Sequence, residues 1–79
     1  MRYSDEMISE AIDHWVVGRF AERNRMILKL RLIDGYTLEQ IEEWLLLNDE
    51  LRDSYKIKSK QISRVLSEWT AVVYDHIKP

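Results

Sequence analysis

The sequence predicts an all-α fold, a compact bundle of about four helices that forms a single domain over residues 1–79. Three observations support this prediction. The length of 79 residues suffices for one domain only. Two glycines and one proline are too few for the turns of an all-β domain. Apolar residues make up 46% of the chain and recur at helical spacing, so the core should be built from helix faces.

Composition excludes several classes of protein. The chain has no cysteine, which excludes a disulfide framework, thiolate metal sites and cysteine nucleophiles, and which fits a reducing compartment. No apolar run approaches the roughly 18 residues needed to span a bilayer. Asp5 and Glu6 stand where a secretory signal would be apolar. We therefore expect a cytoplasmic protein without a membrane partner.

The first two helices are predicted at residues 5–17 and 21–33. Ser4 is a typical N-cap, and acidic residues follow it in the first turn. The apolar stripe of the first helix consists of Met7, Ile8, Ala11, Ile12, Trp15 and Val16. The second helix is apolar around most of its circumference, which predicts the central helix of the core.

A strongly marked turn joins the second helix to the third. Asp34 and Gly35 suit a left-handed C-cap, and Thr37 and Gln40 match the capping box that begins a helix. In the third helix the side chains predicted to face inward are Leu38, Ile41, Trp44 and Leu45, and those predicted to face outward are Glu39, Glu42 and Glu43. Residues 48–55 are polar without a clear period, so they form either a loop or a short extra helical turn.

The fourth helix has the most regular apolar stripe and begins near Lys58 and Ser59. The stripe consists of Ile62, Val65, Leu66, Trp69, Val72, Val73 and Ile77. At about 100° per residue, Lys60, Arg64 and Ser67 face away from it, with Gln61 and Ser63 at the sides. The last three apolar residues are available for internal packing or for forming a homodimer.

Charge is distributed unevenly along the chain. The net charge is −2, which by itself argues against nucleic-acid binding. Residues 35–53 hold six acidic residues and one basic residue, whereas residues 54–79 hold five basic and two acidic residues. The positive field therefore belongs to the fourth helix and the segment before it. Charge alone supports a solvated helix face as well as a DNA-binding one.

Two helices joined through a turn, with Lys, Gln, Ser and Arg on the outer face of the second, are what a helix-turn-helix requires. The second helix of such a motif enters the major groove, where Arg or Lys can contact guanine and Gln can contact adenine. In this chain the connection between the two helices, residues 47–55, is lengthened.

Residues 23–41 resemble the C-terminal, region-four domain of bacterial sigma factors, and more closely the small sigma-like transcriptional regulators of phages and mobile elements. The shared arrangement is an arginine-rich opening at Arg23 and Arg25, an apolar helix, a turn centred on Gly35, and then Thr37-Leu38-Glu39-Gln40-Ile41. Residues 56–66 are similar to the family's recognition-helix segment. Glu42 stands where the family usually has a small residue.

The resemblance implies roles for individual residues. The residues that would contact bases are Lys60, Gln61, Ser63, Arg64 and Ser67, and those that would contact phosphates are Thr37, Lys56, Lys58 and Ser59. Further phosphate candidates are Arg19, Arg23, Arg25 and Arg31, which are at least as well explained as a solvated face paired with Glu22 and Asp34.

Other side chains are better explained by structure than by chemistry. Three tryptophans lie at helical spacing among aliphatic residues, and we expect core positions for all of them: Trp15, Trp44 and Trp69. Tyr36 and Tyr55 lie in connections between helices, and the sequence does not decide whether they contact DNA or a partner. His14 and His76 are the only histidines, too few for a zinc site without cysteine. The acidic residues have no accompanying nucleophile or phosphate-binding loop. We expect no enzyme activity, no small-molecule substrate, no metal and no cofactor.

The function that these features predict is sequence-specific binding of double-stranded DNA by a transcriptional regulator, with RNA polymerase as a candidate partner. The alternative is a protein-binding module of the same fold that contacts RNA polymerase, a host regulator or a host defence protein and does not bind DNA. The acidic stretch from Glu39 to Asp53 favours this alternative, because it would repel phosphates if it lay beside the groove.

Overall fold

The computed structural model describes residues 3–48 and 55–77, and four α-helices account for most of them. The helices are α1 (Asp5–Trp15), α2 (Ala21–Leu32), α3 (Leu38–Leu47) and α4 (Ser59–Asp75). No strand occurs within these two ranges. The predicted all-α bundle is therefore confirmed, with α1 ending two residues earlier than the apolar stripe suggests. For residues 48–55 the sequence leaves a loop and a short helical turn as alternatives. Residues 49–54 lie outside the described residues, so these alternatives stay open.

Side-chain caps begin two of the helices, as the sequence predicts. The Ser4 hydroxyl accepts a hydrogen bond from the Met7 N–H at 3.2 Å. At the start of α3 the Gln40 N–H donates to Thr37 Oγ1 at 3.1 Å, and the Thr37 N–H donates to Gln40 Oε1 at 2.8 Å. Gly35 adopts φ of 72°, a left-handed conformation that glycine tolerates without a steric cost. The turn between α2 and α3 is thus held at both ends.

The core consists of two groups of buried side chains. The first, which we call the α3 cluster, comprises Ile27, Leu30, Ile41, Leu45, Tyr55, Ile57, Ile62 and Val65. The second, the α1 cluster, comprises Ile8, Ala11, Ile12, Val16, Leu28, Val73 and Ile77. Residues of α2 and α4 belong to both, so these two helices connect the clusters. Because α2 contributes side chains to both clusters, it is apolar around most of its circumference.

Helix α4 packs against α1, α2 and α3. Leu66 and Trp69, near its middle, contact both clusters. At its end Val73 is fully buried and Ile77 nearly so, both within the α1 cluster. These two residues therefore serve internal packing, which removes them from the candidate surface for a homodimer. No helix within the described residues is both long enough and apolar enough to cross a membrane.

The prediction that Trp15 is a core residue is wrong. Its side chain is 39% exposed, and its ring stacks on the imidazole of His76 with the centroids 3.9 Å apart. Trp15 is the last residue of α1, whereas Val16, directly after it, is fully buried. The inward position at the end of α1 is thus taken by Val16, and Trp15 lies at the rim. Trp44 and Trp69 are partly buried against the core, as expected.

The segment that leads into α4 contributes to the core in a way the sequence analysis did not predict. Tyr55 and Ile57 are buried in the α3 cluster, while Lys56 and Lys58 between and after them are exposed. The Ile57 N–H donates to the Tyr55 carbonyl at 3.0 Å, so a tight turn at Lys56 turns the two apolar side chains to the core and leaves the lysines in solvent. Of the two tyrosines whose role was open, Tyr55 is a core residue and Tyr36 packs partly buried against the same cluster.

The two different positions of Trp15 and Trp69 lead to a stability prediction. Trp69→Ala removes a side chain that joins both clusters and should lower the free energy of unfolding by about 3 kcal/mol or more. Trp15→Ala, the matched control, removes one ring stacked at the rim and should cost about 1 kcal/mol. Urea denaturation followed by circular dichroism measures both. Equal losses for the two variants would contradict the packing described here.

Candidate nucleic-acid interface

The five predicted base-contacting residues share the outer side of the first part of α4. All of them are exposed: Lys60, Gln61, Ser63, Arg64 and Ser67. Seven residues of helix separate the first from the last, about 10 Å at 1.5 Å per residue. The major groove of B-DNA is about 12 Å wide and accepts one helix. The exposed strip therefore places basic and hydrogen-bonding side chains along one side of a single helix.

Packing of the opposite face holds this strip outward. Ile62 and Val65 are buried in the α3 cluster, and they alternate along α4 with the exposed polar residues. The acidic residues Glu68 and Asp75 are exposed farther along the helix. The positively charged part of the outer face is thus limited to the first two turns. In a docked complex these two turns, with Ser67 directly after them, would lie nearest the bases.

Lys56 and Lys58 extend the basic strip ahead of α4. Both are exposed, and the buried side chains of Tyr55 and Ile57 keep them on the solvent side of this segment. The ammonium of Lys58 lies 3.9 Å from a carboxylate oxygen of Glu42, while its side chain remains 86% exposed. An exposed ion pair at this distance adds little stability, so the ammonium can exchange this carboxylate for a phosphate.

Glu42 holds the first residue of α4. Its Oε2 accepts a hydrogen bond from the Ser59 hydroxyl at 2.6 Å and another from the Ser59 N–H at 3.0 Å. The hydroxyl bond is the largest cause and lowers the pKa of Glu42. Burial, the next largest, opposes it, and the N–H bond and Lys58 add smaller effects that also lower the pKa. The prediction that Glu42 simply faces outward is therefore wrong. Ser59 contacts α3 rather than offering its donors to a phosphate.

Gln61 has a structural contact as well as an exposed position. Its Oε1 accepts a hydrogen bond from the Lys58 N–H at 3.0 Å, which caps the start of α4. A bidentate contact with adenine would require both the amide oxygen and the amide nitrogen. While the cap is in place, one of the two lone pairs of the amide oxygen is occupied. Gln61 thus caps α4 and keeps its amide nitrogen as a donor for a contact with a base.

Thr37 lies at the start of α3 and is exposed. Its hydroxyl oxygen accepts the capping bond from Gln40, but the hydroxyl keeps its own proton and can still donate. The first N–H groups of a helix lack intrahelical partners and attract anions. About 7.5 Å of helix rise separates Thr37 from Glu42, where α3 meets α4. Thr37 therefore keeps the properties that a phosphate contact requires.

The arginines of α2 and the turn before it make internal contacts. Arg25 Nε donates to the Val16 carbonyl at 2.7 Å, and an Arg31 nitrogen donates to the Tyr36 carbonyl at 2.8 Å. These two arginines join neighbouring segments, which explains them without DNA.

Arg19 and Arg23 lie against the ring of Phe20, with their guanidinium carbons 4.9 and 4.5 Å from its centroid. Phe20 has φ of 62°, a conformation that bulky side chains rarely adopt, at the residue before α2. Arg23 also donates to Asn24 Oδ1, and partial burial lowers the pKa of Arg23. The sequence analysis did not identify this arrangement, because no local pattern marks a left-handed phenylalanine.

The described surface away from α3 holds an open groove beside His76. His76 contacts the Val72 carbonyl through Nδ1 at 2.7 Å and stacks on Trp15. The groove has a volume of about 400 Å³ and is lined by residues that include Met7, Glu10 and His14. Within residues 3–48 and 55–77 no three His, Asp or Glu side chains come together at a distance that could hold a metal ion.

Comparisons of the chain with protein-family models, with curated proteins and with solved structures find no match. The resemblance to sigma-like regulators therefore stays a prediction. The structure adds the exposed positions of the basic and polar side chains on α4, and of Lys56 and Lys58 before it. The acidic residues Asp49, Glu50 and Asp53, whose position relative to Lys60 and Arg64 would help to separate the two predicted functions, lie outside the described residues.

The Gln61 cap can be tested separately from any ligand. Gln61→Ala leaves the Lys58 N–H without its side-chain partner and should lower the free energy of unfolding by about 0.5–1 kcal/mol. Ser63→Ala, an exposed position two residues later, should change it by less than about 0.5 kcal/mol. Thermal unfolding of both variants measures the difference. If Gln61→Ala is as stable as the parent chain, the cap is unimportant and Gln61 can use both amide atoms on a base.

Proposed function

We propose that this protein binds double-stranded DNA through a helix-turn-helix formed by α3 and α4 and that it regulates transcription. The observation that carries the proposal is the first half of α4. One side of it is buried against the other helices, and the other side presents five exposed polar and basic residues over about 10 Å. A rigid helix with such a face is suited to entering the major groove.

Residues on this face would differ in what they contact. Lys60 and Arg64 are suited to the O6 and N7 acceptors of guanine, and Ser63 and Ser67 to either a base or the backbone. Gln61 would donate from its amide nitrogen while its oxygen caps α4. Phosphate contacts fit Lys56, Lys58 and Thr37, which lie outside the groove-facing strip. Ser59 is left out of the proposed interface because its donors bind Glu42.

The mechanism would be occupancy of a site on DNA. A single DNA-binding module buries only about 600–1,000 Å² of protein surface, so useful affinity calls for a second contribution. That contribution would come from a second copy of the chain or from RNA polymerase bound nearby. A protein of this kind blocks polymerase or recruits it, depending on where its site lies. The resemblance to sigma-like regulators supports the polymerase partner.

The alternative, a protein-binding module that does not use DNA, is favoured by the exposed side of α3. Leu46 and Leu47 are 59% and 72% exposed, and Glu39 and Glu43 are exposed on the same helix. Apolar side chains in water together with carboxylates suit a basic protein surface better than a phosphate backbone. In this version α3 rather than α4 makes the functional contact.

Selection of the purified protein against randomised duplex DNA separates the two functions. Enrichment of a sequence, with an affinity that falls steeply as salt rises, would support the DNA-binding function. If no sequence is enriched and only weak binding remains at low salt, the protein-binding alternative is favoured. The next experiment would then be capture of RNA polymerase by the parent chain and by a Leu46→Ser, Leu47→Ser variant.

Single substitutions test the assigned contacts on the selected duplex. Arg64→Ala should weaken binding to that duplex by about 1–3 kcal/mol and affect unrelated duplexes much less, because Arg64 is assigned to a base. Lys56→Ala should weaken binding to all duplexes by a similar amount and should make the salt dependence less steep, because Lys56 is assigned to a phosphate. Fluorescence anisotropy at two salt concentrations measures both. Equal losses of both variants on every duplex would contradict the assignment.

A further inference from the structure

We propose that Glu42 is the positioning residue that sets the orientation of α4 on α3, and thereby the base readout of the proposed DNA-binding function, on which this inference rests. The observation is a two-pronged contact between helices. One carboxylate oxygen of Glu42 accepts both the hydroxyl bond and the N–H bond of Ser59, the first residue of α4. The two residues are 17 positions apart in the chain.

The start of α4 needs an acceptor that its own cap residue lacks. The first N–H groups of a helix have no partner within the helix, and an N-cap side chain with an oxygen normally satisfies one of them. The N-cap of α4 is Lys58, whose side chain can only donate. Gln61 supplies an acceptor for the Lys58 N–H, and Glu42 supplies one for the Ser59 N–H. A negative charge at this end of α4 is also favoured by the helix dipole.

The other contacts between α3 and α4 fix the orientation of α4 less strongly than the hydrogen bonds from Ser59 to Glu42 do. Ile41 and Leu45 of α3 meet Ile62 and Val65 of α4 in the α3 cluster. Burial of such side chains is non-directional, so it brings the helices together without fixing how α4 is rotated or shifted. Tyr55 and Ile57, just before α4, are buried in the same cluster and add contacts of the same non-directional kind, which leave small rotations and shifts of α4 unopposed. Hydrogen bonds to one charged oxygen are directional and restrict them.

This role accounts for a glutamate at a position where sigma-like proteins usually have a small residue. A small residue permits close helix crossing when a short turn already fixes the second helix. Here the turn is longer, and a long side chain reaches from α3 to the start of α4. The charged groups around Glu42 are Lys58 at the start of α4 and its neighbours Glu39 and Glu43 on α3, while the α2 residues in the α3 cluster are apolar.

A measurement without DNA tests the positioning directly. The chain has no cysteine, so Glu39→Cys and Ala71→Cys introduce two exposed labelling sites, one on α3 and one on α4. Pulsed electron spin resonance between labels at these sites should give a narrow distance distribution. Glu42→Ala added to this pair should broaden it, and Glu42→Gln, which keeps an acceptor oxygen, should restore most of the narrowness. Glu43→Ala is the matched control and should leave the distribution unchanged.

The Ser59 amide proton gives a second readout in the same protein. Its nuclear magnetic resonance signal should shift as pH falls, because protonation of Glu42 weakens the bond that it donates to. The midpoint should lie below the ordinary pKa of a glutamate, since Ser59 favours the charged form of Glu42. Glu42→Gln should abolish this shift, and Glu43→Gln should leave it in place. A Ser59 signal that ignores Glu42, or an unchanged distance distribution in Glu42→Ala, would overturn the inference.

The DNA readout separates positioning from charge alone. Glu42→Ala should lower the ratio of selected to unrelated duplex affinity by about tenfold, because the base contacts become misaligned while the phosphate contacts persist. Glu42→Gln should recover most of that ratio. If Glu42→Ala instead raises affinity for all duplexes equally, Glu42 acts only as a repelling charge and the positioning role is refuted. If the parent chain selects no DNA, the proposed function fails, and the distance and amide measurements alone decide whether Glu42 positions α4.

Discussion

The structure depends on the burial of one side of α4 against all three other helices. Leu66 and Trp69 join the α3 cluster to the α1 cluster, and Val73 and Ile77 extend the buried side to the end of the helix. Because that side is committed to the core, the opposite side has to face solvent. The exposed basic strip is therefore turned toward solvent by the same packing that stabilises the domain. The core and the proposed interface therefore use opposite sides of α4.

The start of α4 shows how stability and recognition compete for the same groups. Helix N-termini commonly bind phosphate, but here the Lys58 and Ser59 N–H groups are taken by Gln61 and Glu42. These contacts hold the helix and at the same time occupy these two N–H groups, which could otherwise bind a phosphate. Recognition would then rest on side chains farther along α4 and on the lysines ahead of it. Basic side chains would then make the phosphate contacts that the N-terminus of α4, which already binds the Glu42 carboxylate, does not make.

Much of the fold follows from local pattern, whereas the contacts at the proposed site do not. Spacing of apolar residues predicts four helices, and the capping residues Ser4 and Thr37 mark two starts correctly. The core position predicted for Trp15 is wrong. Periodicity shows neither where a helix ends nor which of its last residues are covered by the neighbouring helices. The burial of Tyr55 and Ile57 was not predicted, because two apolar residues in a short connection form no recognisable pattern. The bond between Glu42 and Ser59 joins positions 17 apart, and its one sequence signal is an N-cap, Lys58, without an acceptor.

The measurement that tests the central claim most directly is amide chemical-shift mapping of the isotope-labelled protein as duplex DNA is added at low salt. The account predicts that the largest changes fall on the first two turns of α4, around Lys60 and Arg64, and on Lys56 ahead of them. Residues of α1 should change little. Changes centred on α3 near Leu46, or no change at any DNA concentration, would contradict the claim that the outer face of α4 is a DNA-reading surface.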